Sequence, residues 1–435
     1  MPEADLLIRG GTVVDAHGER RADVLVAGSE IVAVGEGIEL PHGVRVLEAG
    51  GCLVAPGLVD LHSHLREPGD EVAETVETGS RAAALGGYTA VVAMPNTEPA
   101  IDNPSVARDV LELGRKALCE VAVAGAITIG RAGDSLAPLG ELAALGIQIF
   151  TDDGAGVQDA SLMRQALEYA SDLGVVLAEH CQDDSLAAGG QMHEGAWSSR
   201  LGMVGQPALA EEAMLARDLA LVRLTRSAMH FLHLSTAGSV DLVSAAKAEG
   251  LPVTAEVTPH HLALTDAAVA SYDPVFKVNP PLRTERDVEA LRNALASGVV
   301  DAVATDHAPH APELKERPFD EAPPGMLGLE TALAVTWKAV TGRMSFAALL
   351  GAFSWQPARV ARLDRASGGR QGGPVEVGAP ANLVVWDQSA GWSVDPAKLA
   401  SRSRNTPYGG WDLTGRVRHT VHEGEAVVID AKAQR

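Results

Sequence analysis

The stretch Val54-Ala-Pro-Gly-Leu-Val-Asp-Leu-His-Ser-His64 begins as an apolar run of strand length and ends in two histidines. His62 and His64 are two residues apart, so on an extended strand both side chains point to the same side. Two imidazoles at this spacing are a suitable pair of ligands for one transition-metal ion. The stretch therefore predicts a buried strand that ends in a metal-binding pair.

Seven further apolar runs of strand length follow, with helical stretches such as Ala160–Leu173, Leu209–Thr225 and Ser239–Glu249 between them. The runs begin on average about 35 residues apart, which suits a strand followed by a helix. Eight parallel strands with intervening helices predict an α/β fold, a (β/α)8 TIM-type barrel over residues 56–364. The runs are Val54–Leu61, Tyr88–Met94, Val121–Ile127, Ile147–Phe150, Val175–Ala178, His230–Leu234, Val253–Val257 and Val300–Ala304.

Both ends of the chain are rich in short strand patterns. Asp5–Asp15 and Ala22–Val34 near one end, and Ala381–Asp387 and Arg416–Val421 near the other, alternate in hydrophobicity between turn residues. We expect the two ends to form one small β-sandwich domain. The predicted organisation is 1–55 for the N-terminal part of the sandwich, 56–364 for the catalytic barrel, and 365–435 for a linker and the C-terminal part of the sandwich.

Composition excludes several classes of function. Acidic residues outnumber basic ones 57 to 35, and the formal net charge of −22 argues against binding to nucleic acid or to anionic lipid. Cys52, Cys119 and Cys181 are odd in number and widely spaced, which favours neither a disulfide framework nor a zinc ribbon. No apolar run approaches the ~20 residues of a membrane span, and the first residues do not resemble a signal peptide. We expect a cytoplasmic protein.

Potential metal ligands follow five of the eight runs. In a barrel of parallel strands, active-site groups come from the carboxyl ends of the strands. One histidine at such a place is commonly a surface or core residue, but five coincidences favour a metal centre. Six ligands exceed the four of a tetrahedral ion, so we expect two ions with a shared ligand that together activate water. The candidates are His62, His64, Asp152, Asp153, Glu179, His180, His233 and Asp306.

Longer motifs surround these residues. The most specific are Asp60-Leu-His-Ser-His-Leu-Arg-Glu-Pro-Gly69 and Lys277-Val-Asn-Pro-Pro-Leu-Arg283. The others are Met94-Pro-Asn-Thr97, Thr151-Asp-Asp-Gly154, Glu256-Val-Thr-Pro-His-His261, Ala304-Thr-Asp-His-Ala-Pro-His310, Pro324-Gly-Met-Leu-Gly-Leu-Glu330 and Asn405-Thr-Pro407. Together they resemble the bacterial type I dihydroorotases of the metal-dependent amidohydrolase superfamily, over nearly the whole chain.

The resemblance implies two zinc ions. The implied ligands are His62, His64 and Asp306 for the first ion, His180 and His233 for the second, and Asp153 as the bridge between them. Many members of the superfamily bridge with a carboxylated lysine, but the only lysine between His64 and His180 is Lys116, on a helical stretch. Neighbouring residues of a strand face opposite ways, so only one of Asp152 and Asp153 can enter the site easily. The resemblance favours Asp153, and we expect Asp152 to make a loop hydrogen bond instead.

The resemblance also implies a reaction. L-dihydroorotate and N-carbamoyl-L-aspartate would be interconverted in de novo pyrimidine (UMP) biosynthesis, with Asp306 as the catalytic base and acid. Arg66 would pair with the substrate carboxylate through two charge-assisted hydrogen bonds. The full implied substrate-binding set is His64, Arg66, Asn96, Asn279, His310 and the backbone at Pro324 and Gly325. A homodimer, or a complex with aspartate transcarbamoylase, is implied in the same way.

Two alternatives stay open at this point. One is another cyclic amidohydrolase of the hydantoinase, dihydropyrimidinase or allantoinase type. The other is a non-catalytic dihydroorotase-like partner of aspartate transcarbamoylase. Arg66 and Asn96 favour a ring that carries a carboxylate, and the complete set of ligands favours a catalyst. The polar, proline-rich segment 311–324 is either a lid or a solvated loop.

Overall fold

Eight short parallel strands occupy the middle of the chain in the computed structural model, which describes residues 5–40 and 42–435. They are Leu58–Ser63, Tyr88–Ala93, Glu120–Val123, Ile149–Phe150, Val176–Glu179, Met229–Phe231, Val253–Val257 and Ala302–Val303. Each overlaps one of the predicted apolar runs. The prediction of an α/β fold with parallel strands is therefore confirmed.

The parallel strands pair in chain order. Ladders join the first three strands to one another and the fourth through the eighth to one another. Single parallel bridges connect the two groups, one between Gly125 and Phe150 and the other between Ser63 and His307. Because every pairing is parallel, the carboxyl ends of all eight strands lie on the same side, where a site can form.

Helices fill the intervals between the strands. Ala160–Leu173 and Leu209–Thr225 have the predicted bounds, and the third predicted helix spans Ala237–Ala248. The Asp159 side chain caps the first of these helices, which ends at Gly174 with a φ of 68° that favours glycine. None of the described helices is long and apolar enough to span a membrane. The others are Val76–Leu85, Pro104–Gly114, Leu139–Ala143, Asp184–Ala187, Ala196–Leu201, Pro259–Ala263, Glu285–Ser297, Pro312–Lys315, Ala332–Val340, Phe346–Phe353 and Trp355–Val360.

The two ends of the chain meet in one sheet, which has nine strands within the described residues. Leu53–Pro56 pairs antiparallel with Leu383–Ser393 and so joins the N-terminal strands to the C-terminal ones. The remaining strands are Leu6–Asp15, Gly18–Ala27, Glu30–Gly35, Arg45–Glu48, Asp412–His422, Glu425–Ile429 and Lys432–Ala433. Buried side chains from both ends, among them Ile8, Val24 and Val385, share one apolar core.

The predicted run Val54–Leu61 is not one strand. It is divided at Gly57, so that its first half belongs to the sheet of the termini and its second half begins the parallel strands. A Cβ on Gly57 would lie 2.1 Å from the Thr89 hydroxyl, and the Gly57 N–H donates to the Asn382 carbonyl at 2.9 Å. The prediction of a single strand was wrong because both halves are equally buried, and a continuous apolar run does not show where a chain changes sheets.

Candidate metal centre and active site

Six predicted ligands converge at the carboxyl ends of five parallel strands. Each is at most 5% exposed, so water is largely excluded from the cluster. The six residues are His62, His64, Asp153, His180, His233 and Asp306, and we call them the His/Asp cluster. The convergence itself depends on the strand order, because these residues span almost 250 positions of the sequence.

Asp153 lies at the centre of this cluster. Its Oδ2 is 3.3 Å from His62 Nε2 and 3.5 Å from His64 Nε2. Its Oδ1 is 3.5 Å from His233 Nε2 and 3.6 Å from His180 Nδ1. The cluster therefore contains two groups of three potential ligands that share Asp153, and within each group the ligand atoms lie within 4.8 Å of one another. This is the arrangement that a carboxylate bridging two cations requires.

Asp306 lies on the side of the first group. Its Oδ1 is 3.1 Å from His64 Nε2 and 3.6 Å from His62 Nε2. His62 Nε2 is buried and makes no hydrogen bond, although two carboxylates lie close to it. A buried polar nitrogen without a hydrogen-bond partner is costly unless it binds something else. Imidazole and carboxylate ligands suit zinc, so the donor set fits a metal ion of that kind.

Charge in the cluster favours ionised carboxylates. Burial alone would raise the pKa of Asp153, but the charge of His62 and the close contacts with His180 and His233 hold it well below its usual range. Burial likewise opposes the lowered pKa of Asp306, which the charge of His62 and the hydrogen bond with His64 bring about. In return, Asp153 and Asp306 raise the pKa of His62 well above its usual value, against the effect of burial. Ionised carboxylates are the form that binds a cation.

The neighbouring Asp152 has a different role. Its Oδ1 accepts hydrogen bonds from the backbone N–H groups of Ile127 and Thr128, at 2.9 and 3.0 Å. The side chain thus holds the loop after the third strand and does not enter the cluster. This agrees with the loop hydrogen bond that the sequence predicts for Asp152.

A buried carboxylate that the sequence reasoning missed lies behind His62. Glu256 has no exposed surface, and its two oxygens lie 3.0 Å from His62 Nδ1 and 3.0 Å from His230 Nε2. Although burial would raise the pKa of Glu256, the hydrogen bonds with the two histidines lower it to about 2. Such a carboxylate fixes the orientation and tautomer of a metal-binding imidazole. The signal in the sequence is a lone charged residue within an otherwise uncharged strand, Val253–Val257.

The cluster opens into a cavity of about 190 Å³. All seven residues predicted to bind the substrate line it, together with most of the His/Asp cluster. The lining residues are His64, Arg66, Asn96, Asp153, Gly154, His180, His233, Val278, Asn279, Asp306, Ala308, His310, Pro324 and Gly325. The structure therefore brings the predicted metal ligands and the predicted substrate-binding residues to one place.

Polar contacts already orient one side of the cavity. Arg66 Nε donates to the Pro309 carbonyl at 3.1 Å, and Asn96 Oδ1 lies 2.9 Å from His64 Nδ1. His310 lies with Nε2 2.8 Å from the Pro324 carbonyl. Burial, and then the charge of Arg66, lower the pKa of His310 to about 3, so the ring is neutral and its Nε2–H donates to Pro324.

The part of the wall around Asn279 and Gly325 is equally constrained. Asn279 Nδ2 donates to Gln182 Oε1 at 2.9 Å. The Gly325 N–H donates to the Lys277 carbonyl at 2.9 Å, while the Gly325 carbonyl accepts from Asn405 Nδ2 at 3.1 Å. The backbone N–H of Gly325 is thus engaged within the protein. The carbonyls of Pro324 and Gly325 each accept one hydrogen bond as well, and each keeps a second lone pair with which it can accept another.

Comparison with known proteins gives consistent relatives. The family described as Dihydro-orotase-like matches residues 51–239. The dihydroorotase of Streptomyces coelicolor is 51% identical over 431 residues, covering 98% of this chain and 99% of its own length. The dihydroorotase of Mycobacterium tuberculosis is 47% identical over 433 residues, covering 98% of this chain and 99% of its own.

Solved structures also share this fold. A dihydropyrimidinase from Brevibacillus agri aligns with a TM-score of 0.86 at 25% identity, over 99% of this chain and 96% of its own. An L-hydantoinase from Arthrobacter aurescens aligns with a TM-score of 0.88 at 24% identity, over 100% of this chain and 98% of its own, which is a likeness of fold alone.

Proposed function

The chain belongs to the dihydroorotase family, and from that premise we propose that its site interconverts L-dihydroorotate and N-carbamoyl-L-aspartate, a step of pyrimidine biosynthesis. The protein is an enzyme, a cyclic amide hydrolase. The observation that carries the proposal is that one cavity is lined both by Arg66 and by a cluster of histidines and aspartates that shares one carboxylate. A ring with a carboxylate and a hydrolysable amide matches these two groups of lining residues.

We assign two zinc ions to the His/Asp cluster. His62, His64 and Asp306 would hold the first ion, His180 and His233 the second, and Asp153 would bridge them. The orphaned Nε2 of His62 and the even spacing of the four imidazoles around the two Asp153 oxygens support this assignment. When bound, such ions supply a water of pKa near ~7 and a Lewis acid for the ring carbonyl.

Recognition of the substrate falls to the cavity walls. The Arg66 guanidinium, held by Pro309 through Nε, would donate its terminal N–H groups to the substrate carboxylate, with Asn96, Asn279 and His310 beside it. The carbonyls of Pro324 and Gly325 would accept hydrogen bonds from the ring N–H groups. His64 would contribute its ring edge at the floor of the cavity.

Proton transfer falls to Asp306. In hydrolysis, the carboxylate accepts a proton from the attacking water and returns it to the ring nitrogen as the carbon–nitrogen bond breaks. The products are the ureido group and a new carboxyl group, which releases its remaining proton to solvent. Ring closure reverses these steps. The low pKa of Asp306 keeps the carboxylate ionised, and His64 Nε2 at 3.1 Å holds it in place.

We also propose that the eight parallel strands form a closed (β/α)8 barrel over 56–364. Residues 1–55 and 365–435 would form a β-sandwich, of which residues 1–4 and 41 lie outside the described part of the chain. The bridges Gly125–Phe150 and Ser63–His307 support closure. The aspartate at the bridging position, where other superfamily members have lysine, supports assignment to the type I subgroup. A crystal structure of the zinc-loaded protein tests both.

Partners and location follow from the family resemblance alone. We propose a cytoplasmic enzyme that works as a homodimer or bound to aspartate transcarbamoylase. Size-exclusion chromatography with light scattering, on the enzyme alone and mixed with that transcarbamoylase, tests the association. A monomer under both conditions would contradict it.

The reaction is tested by substrate choice. The zinc-loaded protein is assayed on L-dihydroorotate beside dihydrouracil, hydantoin and allantoin, with metal analysis of the same sample. We expect turnover of dihydroorotate alone, lost on chelation and restored by zinc. Turnover of an uncharged ring would favour a function like that of the structural neighbours and would remove the role given to Arg66. No turnover of any ring by the fully metallated protein would favour a non-catalytic partner.

A further inference from the structure

Two lysines lie behind the wall that Pro324 and Gly325 form in the cavity. Lys277 is only 8% exposed. Its ammonium donates to Gln191 Oε1 at 2.6 Å and to the carbonyls of Phe319 and Asp320 at 2.8 and 3.1 Å. An ammonium has three N–H donors, so these three acceptors use all of them. Lys277 thus fixes the backbone four residues before the wall.

Lys315 fixes the same segment from the other side. It ends the short helix Pro312–Lys315, and its ammonium donates to the Pro323 carbonyl at 2.8 Å and to the Pro274 carbonyl at 3.0 Å. A third hydrogen bond reaches the Lys277 carbonyl at 3.3 Å. The sequence did not decide whether the segment 311–324 is a lid or a solvated loop. In the structure, Lys315 lies within this segment and anchors it through these three hydrogen bonds.

The two lysines connect the Pro324–Gly325 wall to the segment that leads into Asn279. Their backbone acceptors lie on the segment that leads into Pro324 and on residues 274–277, which lead into Asn279. The Gly325 N–H closes the link through the Lys277 carbonyl. Five of the six acceptors are backbone carbonyls, so both ammonium groups define the path of the main chain. Only seven of the 35 basic residues are lysines, and two of them lie here.

We propose that Lys277 and Lys315 are positioning residues that hold the Pro324–Gly325 backbone at a fixed distance from Asn279, so that its carbonyls meet the ring N–H groups of the substrate. This inference rests on the proposed function. Neither lysine lines the part of the cavity that holds Asp306. Loss of an ammonium would loosen the binding wall and leave the reacting groups in place, so the effect falls on KM more than on kcat.

The first test replaces Lys315 with methionine, which keeps the unbranched stem of the side chain and removes the ammonium group. We expect Lys315→Met to raise KM for dihydroorotate about tenfold, as expected for the loss of about one charge-assisted hydrogen bond, and to change kcat less than about threefold. Metal content should stay that of the parent, and the variant should stay folded although the lost hydrogen bonds lower its melting temperature. Lys116→Met, at an exposed lysine, is the matched control and should leave both constants unchanged.

Chemical rescue separates positioning from a general structural role. In Lys315→Cys, alkylation with 2-bromoethylamine restores an ammonium at the length of lysine, whereas iodoacetamide adds a neutral amide. Cys52, Cys119 and Cys181 are buried, and the parent treated with each reagent is the control. The assays are run at a pH of about 6, because burial, and then the charge of Lys277, lower the pKa of Lys315 to about 7. We expect the amine to restore KM and the amide to leave it raised.

The outcomes distinguish this inference from the proposed function. An unchanged KM in both Lys315→Met and Lys277→Met, a fall in kcat at constant KM, or equal rescue by the neutral amide would each overturn the positioning role while dihydroorotase activity remains. If Lys277→Met does not fold, the Lys315 variants decide alone. Absence of turnover in the parent and in Lys116→Met would overturn the proposed function and this inference with it.

Discussion

Glu256 gives the sharpest test of how the protein prepares its proposed metal ligands. The carboxylate accepts from His62 Nδ1 and His230 Nε2, each at 3.0 Å, in a site with no exposed surface. Glu256→Gln keeps the volume but leaves one oxygen acceptor and introduces an N–H donor. One of the two imidazoles therefore loses its acceptor, and the tautomer that directs the His62 Nε2 lone pair at the metal is no longer enforced.

The expected size of the effect follows from these two contacts. A hydrogen bond to a charged group contributes about 1.5–3 kcal/mol, and the lost contact at full burial is not replaced by water. At ~1.4 kcal/mol for each factor of ten, this corresponds to a loss of roughly 10- to 100-fold in zinc affinity, the range typical of residues that orient metal-binding imidazoles. The fold should persist, because the substitution leaves no cavity.

The assay is zinc competition against a chromophoric chelator, with dihydroorotate hydrolysis at saturating zinc as a second readout. Glu120→Gln is the matched control: this largely buried glutamate begins the third parallel strand, at the opposite end from the site, and accepts from Gln371 Nε2 at 2.7 Å. We expect zinc affinity to fall in the first variant only. Equal affinities in both variants and the parent would refute the idea that Glu256 prepares His62 for the metal.

Three further substitutions test the remaining roles. Asp306→Asn should lower kcat by about 10²- to 10⁴-fold with the melting temperature retained, and near-parental turnover would remove Asp306 as base and acid. Arg66→Ala should raise KM for dihydroorotate roughly 10- to 100-fold through loss of a charge-assisted pair, and an unchanged KM would put the carboxylate elsewhere. Gly325→Ala should raise KM and lower the melting temperature, since φ is 147° and a Cβ would lie 2.7 Å from His310 Nε2. Gly391→Ala, where a Cβ meets nothing within 4 Å, should do neither.

The sequence predicted those features of the structure that depend on the spacing of residues within one strand or helix. Apolar runs and helical periods predicted the eight parallel strands and the bounds of Ala160–Leu173, because burial of one face imposes a spacing that the chain itself displays. The spacing of His62 and His64 likewise fixed that both point the same way from one strand. The His/Asp cluster could also be predicted, because its residues follow parallel strands whose carboxyl ends lie together.

Contacts between distant parts of the chain were decided only by the tertiary structure. Spacing alone does not distinguish adjacent aspartates such as Asp152 and Asp153; the family resemblance favoured Asp153, and the structure supplies the reason, since the loop at Ile127 captures Asp152. The division at Gly57 is equally invisible, because both halves of the run are buried. Glu256 beside His62, and Lys315 beside Pro323, depend on hydrogen bonds whose partners are set by packing. Sequence spacing determines which way a side chain points along its own element, whereas the partner it meets there is determined by how the elements pack.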